Sequence, residues 1–330
     1  MAVTILRLEP SNDIKHFGPE ISERKTVAGC CVSIMPVGAG ASDAYGRMAA
    51  SYNLLTSHFD LDIEIEKYRN YHAKDFEFDK TFGMQKGFEF VPDTVDLEHV
   101  PIIDLSELVK QVLEGDVPFA PNTRYRIRSD IYPSSPQYKQ FQSQKGIRAS
   151  FFSKMSYQPQ QNPFSASPEG ENAVLHLRRQ DISGRAIFEG VSKDAIGPSI
   201  EKLLKIRKPN LDIETAVYAL EQSFEAGTKV NVILASDGFK NLEPYYKHHT
   251  VALENVARLE ADLQAEISSD KLDLNVITRI IGTDPEATQF TMDAMFHADL
   301  VVTAYSSFPQ LPCRFGKTPY LQLRFEEQAR

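Results

Sequence analysis

The stretch Glu171–Asp181, ENAVLHLRRQD, sets two arginines directly behind an apolar run. Ala173-Val174-Leu175 reads as a buried strand that continues into His176-Leu177-Arg178-Arg179. Side chains alternate along a strand, so His176 and Arg178 face one way and Arg179 the other. Two guanidinium groups at the end of a buried strand are costly to desolvate unless something anionic meets them. A guanidinium fork fits a phosphate at two points, and parallel sheets take ligands at the carboxyl ends of their strands. These residues suit a site for a phosphorylated small molecule centred on Arg178. They equally suit a structural ion pair, with Asp181 as partner.

Three other segments bring chemistry to predicted strand ends. Gly38-Ala39-Gly40 lies after a strand and before a helix, where glycines let a phosphate approach the helix N-terminus. Asp43 stands where the third glycine of a dinucleotide fingerprint would be, and no Walker lysine follows, so a tight strand-to-helix turn explains the segment as well. Leu234-Ala235-Ser236-Asp237-Gly238 ends a strand on Ser236 and Asp237. A carboxylate there can accept two donors from a purine such as guanine, or simply shape a βα turn. Ala298–Pro309, ADLVVTAYSSFP, ends a strand near Ser306, Ser307 and Phe308, whose hydroxyls and backbone N–H groups suit phosphate oxygens or a helix cap.

The elements that must position these residues alternate between β and α. In the first half, Thr26–Met35 reads as a buried strand. A helix follows from Ser42 or Asp43 to about His58, with Ser42 or Asp43 as N-cap. Asp62–Tyr68 and Pro101–Leu105 are strand candidates, and Ser106–Leu113 a helix. Phe76–Phe90 has no clear period; its aromatics suit either an acceptor-side loop or a packed surface loop. In the second half, Val174–Leu177, Val230–Ala235, Leu274–Ile281 and Leu300–Ala304 read as strands. Helices are predicted from Asp212 to about Phe224, over Glu254–Glu266, and from Asp284-Pro285 to near His297. Alternation of this kind predicts parallel, doubly wound sheets. Tyr157–Asn172, with three prolines among Gln, Ser and Asn, is the linker candidate. The expected division is residues 1–160 and residues 161–330, with a cleft between two α/β domains.

Composition narrows the function. With 330 residues, 42% hydrophobic and 25% charged, the chain has the make-up of a globular protein. A net charge of −9 argues against a general nucleic-acid binder. One island runs the other way: His176–Lys208 carries Arg178, Arg179, Arg185, Lys193, Lys202, Lys205, Arg207 and Lys208 against Asp181, Glu189, Asp194 and Glu201. A local positive field attracts a small polyanion, although Lys202–Lys208 also suits a solvated helix face. Cys30, Cys31 and Cys313 form no disulfide framework and no zinc spacing. No run nears the roughly 20 apolar residues of a membrane helix, and Arg7 and Glu9 come too early for a signal peptide. The expectation is a cytoplasmic protein with buried, reduced thiols.

His176-Leu177-Arg178-Arg179-Gln180-Asp181 resembles the H-x-R-R-x-D motif of the fucosyltransferase superfamily, which includes bacterial α-1,2, core, protein-O- and nodulation fucosyltransferases. Leu234–Asp237 is similar to the family's second block, a strand ending in Ser/Thr-Asp. Ala298–Phe308 resembles its third, and Val37–Arg47 its N-terminal glycine-rich loop. The resemblance covers mostly residues 172–310. It departs at Gln180, where many members carry Gly or Thr, and at Pro309. It implies a GT-B fold, two Rossmann-like domains facing a cleft, and an inverting single displacement with a GDP-fucose donor, a glycan acceptor and no metal or other cofactor. By it, Arg178 would hold the β-phosphate and stabilise the leaving group, and Asp237 would read guanine beside the His176 backbone. Ser306 and Ser307 would contact the diphosphate; Arg179, Asp181, Ser236, Phe308, Gly38 and Gly40 would complete the donor site. No catalytic base stands out; Asp43 and Glu98 are the only guesses. Another sugar-nucleotide donor, a catalytically silent glycan- or nucleotide-binding module, and a nicotinamide oxidoreductase built on Gly38–Gly40 are the alternatives.

Overall fold

The computed structural model describes residues 3–21, 23–38, 40–68, 76–167, 169–179, 183–204, 211–304 and 306–325. The chain divides into two compact units, Ser11–Gln158 and Met1–Pro10 with Pro159–Arg330, here the N-terminal and C-terminal units. Residues 1–10 therefore do not join the N-terminal half, as the sequence suggested. The strands in chain order are β1 (Val3–Leu8), β2 (Lys15–Phe17), β3 (Lys25–Met35), β4 (Phe59–Ile65), β5 (Glu89–Phe90), β6 (Ile102–Asp104) and β7 (Arg124–Arg128). They continue with β8 (Ile147–Ala149), β9 (Glu171–Leu177), β10 (Lys229–Ser236), β11 (Asp273–Ile281), β12 (Leu300–Ala304) and β13 (Tyr320–Phe325).

In the C-terminal unit the sheet order is β1-β13-β12-β9-β10-β11. Every pair is parallel except β1 with β13. From β9 the chain adds β10 and β11 on one side, then returns to lay β12 and β13 on the other. That reversal makes a topological switch point between β9 and β12. The strands are near-continuous apolar runs because both faces are covered. Ala173, Leu175, Leu177, Val232 and Leu234 pack with Ala216 and Leu220 of the Ile213–Glu221 helix and Ala252, Val256 and Leu263 of the Thr250–Gln264 helix. Val174, Ile233, Ala235 and Val301 pack the opposite way, against Ala294 and Met295 of the Pro285–His297 helix and Cys313 of the Gln310–Gly316 helix. Asp212 and Asp284 cap their helices as expected, accepting from Thr215 N–H at 2.7 Å and Ala287 N–H at 2.9 Å.

Polar contacts pin this unit in register. Asn172, Asn231 and Asn275 lie abreast on β9, β10 and β11. Asn231 donates to the Ser167 and Glu169 carbonyls, both at 2.9 Å, and Asn275 Nδ2 donates to Asn231 Oδ1 at 2.9 Å. A one-residue slip would break the row, so it adds to the register that the apolar pattern already sets. The predicted linker is not slack. Phe164 is buried in the core. Asp293, fully buried in the Pro285–His297 helix, accepts the Gln160 and Gln161 N–H groups at 3.2 Å each and Gln289 Nε2 at 2.8 Å.

In the N-terminal unit the order is β5-β4-β3-β7-β6, all parallel, beside a two-stranded β2–β8 ladder. Val32, Ile34, Ile65 and Ile127 are buried, as are Tyr45, Met48, Leu54 and Leu55 of the Ala41–His58 helix. Along β7, RYRIR, the three arginines share one face and pair with acids: Arg124 with Glu64 at 2.5 Å, Arg126 with Glu66 at 2.7 Å and Arg128 with Asp104 at 2.5 Å. Such partly exposed pairs contribute about 0.2–1 kcal/mol each. The irregular Phe76–Phe90 stretch forms two one-turn helices, Phe78–Thr81 and Met84–Gly87, with Phe78 and Phe82 buried. Those aromatics build core.

Candidate functional site

Three strands of the C-terminal unit bring the predicted residues to one edge. The pairing sets His176 beside Ala235 and Thr303, and Leu177 beside Ser236, so β9, β10 and β12 end together. His176, Arg178, Arg179, Ser236, Asp237, Ser306, Ser307 and Phe308 are thereby carried to one carboxyl end, at the switch point. Asp181 lies outside the described residues.

His176 is buried, with 6% of its surface exposed. Its Nδ1 lies 3.2 Å from Thr303 Oγ1 on the neighbouring strand. The Phe308 ring stacks on it at 5.6 Å between centroids and 24° between planes. Burial, and then the positive charge of Arg178, push the imidazole pKa down to about 3. The ring is neutral at physiological pH. Thr303 has no counterpart in the sequence-based site; its role follows from cross-strand register.

The two arginines part ways as alternation requires. Arg178 is half-buried at the strand end. Arg179 is only 4% exposed. Its Nη1 donates to the Leu211 carbonyl at 2.8 Å and to the Arg178 carbonyl at 3.5 Å. Its buried Nε has no hydrogen-bond partner among the described residues. Burial pulls its pKa below the usual arginine range, while Asp237, Asp262 and Asp212 act in the opposite sense. The Arg179 guanidinium turns inward, on the same side as buried Leu177, and meets the Leu211 carbonyl there.

The Ser236 and Ser306 hydroxyls are also engaged. Ser236, 4% exposed, donates to the Leu177 carbonyl at 2.7 Å and accepts from Gly238 N–H at 3.2 Å. Its one proton is used inside the fold. Half-buried Asp237 accepts the Arg179 backbone N–H on Oδ1 at 2.5 Å. Ser306 is buried and accepts Phe308 N–H at 3.2 Å, which closes a turn at the end of β12. Ser307 and Phe308 are half-buried, and the Ser307 carbonyl accepts Gln310 N–H at 3.0 Å.

Gly38 and Gly40 belong to the N-terminal unit. Gly40, not Ser42 or Asp43, is the N-cap of the Ala41–His58 helix. Gly38 has φ +140°, and a Cβ on it would fall 2.3 Å from Asp43 Oδ2. The space a glycine leaves is filled by the chain's own carboxylate. Asp43 in the first turn suits the helix dipole and lies 3.4 Å from Arg47 Nε. Arg47 in turn donates to the Asp130 carbonyl at 2.9 Å and stacks over Tyr132. A carboxylate already at that helix end repels a phosphate, which weighs against the phosphate-cradle reading of Gly38–Gly40.

A pH effect follows from His176. Below about pH 6.5 the unfolded chain takes up a proton that the folded state refuses until about pH 3. The folded state then binds fewer protons, so its stability is fully present above that range and falls as pH falls, by at most about 1.4 kcal/mol per pH unit. Urea unfolding from pH 7 to pH 4 is expected to show a shallower pH slope for His176→Gln than for the wild type. Equal slopes would mean that burial does not hold the ring neutral.

The fold and the edge together define an α/β protein with two parallel-sheet units and a cationic position at the switch point of the second. No family model matches the chain, and no curated protein matches it. Among solved structures, fucosyltransferase NodZ from Bradyrhizobium is similar at 10% identity and a TM-score of 0.34, over 88% of this chain and 92% of that one. Values that low leave fold and activity to be argued from the chain's own residues. No helix among the described residues is long and apolar enough to cross a membrane.

Proposed function

We propose that the chain is an inverting glycosyltransferase of GT-B type that moves fucose from GDP-fucose to a glycan hydroxyl without a metal. The observation that carries the reading is Arg178: a half-buried guanidinium at the end of β9, next to the switch point, beside a histidine that burial keeps uncharged. The H-x-R-R-x-D resemblance of residues 176–181 supports the donor class. In the reaction the acceptor oxygen forms a bond to the anomeric carbon as the bond from that carbon to the β-phosphate oxygen breaks. The acceptor proton goes to solvent, and GDP leaves with added negative charge. A guanidinium within reach of that oxygen stabilises the charge as it forms, the kind of electrostatic effect that dominates many transfer reactions.

Thermal melting with GDP, UDP, ADP and CMP tests the donor. A ligand at about 100 times its Kd stabilises by about 2.7 kcal/mol, a shift of several degrees. GDP is expected to give the largest shift. A larger shift with another nucleotide would replace the donor. No shift with any would remove the nucleotide site. Release of GDP from GDP-fucose, with fucose recovered on an acceptor, separates an enzyme from a silent binding module.

A further inference from the structure

We propose that Ser236 and Asp237 are positioning residues whose side chains grip the main chain on both sides of Arg178 and so fix where its guanidinium stands. The inference rests on the reading of Arg178 as the phosphate-binding group.

Leu177 precedes Arg178, and its carbonyl accepts the Ser236 hydroxyl at 2.7 Å. Arg179 follows, and its N–H meets Asp237 Oδ1 at 2.5 Å. The Arg178 carbonyl itself is 3.5 Å from Arg179 Nη1, whose stronger bond, at 2.8 Å, is to the Leu211 carbonyl. One dipeptide at the end of β10 thus holds the backbone before and after a single residue. The β9–β10 ladder ends at Leu177 and Ser236, so beyond it these side chains replace the strand bonds that would otherwise hold the peptide. The Ser236 hydroxyl is sealed from solvent and also accepts Gly238 N–H, which fixes its own orientation. The Asp237 carboxylate has a second task, since it offsets the charge of buried Arg179. A charge-assisted bond to a backbone N–H is stronger than a neutral one. Losing it frees the peptide that carries Arg178, and loose placement of a charge-stabilising group weakens it.

This assignment differs from a base-reading Asp237 in what it predicts. Asparagine keeps a carbonyl oxygen for Arg179 N–H but replaces the second carboxylate oxygen by an NH2 donor, so it cannot meet two guanine donors on two oxygens. The experiment compares wild type, Asp237→Asn, Asp237→Ala and Ser236→Ala in three measurements: hydrogen exchange at the Arg179 amide, binding of GDP against ADP, and binding of inorganic pyrophosphate. In Asp237→Ala the Arg179 amide is expected to exchange about tenfold faster or more, with Thr303 on β12 unchanged. GDP and pyrophosphate should weaken in the same proportion, and Asp237→Asn should recover most of both with the GDP-over-ADP preference intact. Ser236→Ala should loosen the same amide by a smaller factor, and it carries the test if Asp237→Ala does not fold. Unchanged exchange in Asp237→Ala overturns the proposal. Loss of GDP preference in Asp237→Asn with pyrophosphate binding intact overturns it in favour of base reading. If wild type binds neither GDP nor pyrophosphate, the glycosyltransferase reading fails, while the exchange data still decide whether the grip exists.

Discussion

Arg178→Ala is expected to cut glycosyl transfer by about 100- to 1,000-fold while leaving the melting temperature nearly unchanged. The size follows from removing one preorganised charge-stabilising donor, about 2.7–4 kcal/mol of transition-state stabilisation. The intact fold follows from position: Arg178 lies past the last residue of β9 and is half-buried, whereas its neighbour Arg179 fills an internal place. Lysine at 178 should recover part of the rate, because it restores a point charge but not the two-pronged donor set. The comparison to make is kcat and KM for donor turnover in both variants beside the wild type. Full activity in Arg178→Ala would remove the assignment of this residue, and with it the main support for the reaction.

The second large effect concerns stability. Asp293→Ala should cost about 3 kcal/mol, read as a lower urea midpoint. The carboxylate is fully buried and receives two backbone N–H groups and one side-chain amide. Removing it leaves buried donors unmet, which is the costly direction of the asymmetry in hydrogen-bond energetics. A loss below about 1 kcal/mol would mean that water replaces the carboxylate.

Much of the C-terminal unit was legible because its physics is local. Val230–Ala235 and Leu300–Ala304 are apolar runs of strand length, and Asp212 and Asp284-Pro285 are explicit helix starts. The carboxyl-edge position of Arg178, Asp237 and Ser307 followed from strand ends alone. What the sequence hid was long-range. β7 is a central strand, yet RYRIR shows no apolar run because its three arginines are balanced by Glu64, Glu66 and Asp104 from other segments. Thr303 enters the site only through its register with His176. Arg179, Ser236 and Ser306 carry the right chemistry for a ligand, but solvent access decides their use, and access is set by packing. Gly38 read as room for a phosphate; only the fold shows the Asp43 carboxylate in that room.

The antiparallel pairing of β1 with β13 bears on how the molecule is made. Val3 lies opposite Phe325, so the edge of the C-terminal sheet is completed by segments more than 300 residues apart in sequence. On the ribosome, β1 emerges early and its mate late. The Ser11–Gln158 unit lies wholly between them in sequence and can condense during the interval, while Val3–Leu8 has nothing to zip onto. Closure of the sheet carries the entropy of a very long loop, though that cost grows only slowly with length, and its kinetic consequence is high contact order. Until β13 is released, the β1 strand waits with unmatched backbone groups, the kind of open edge that other chains can pair with.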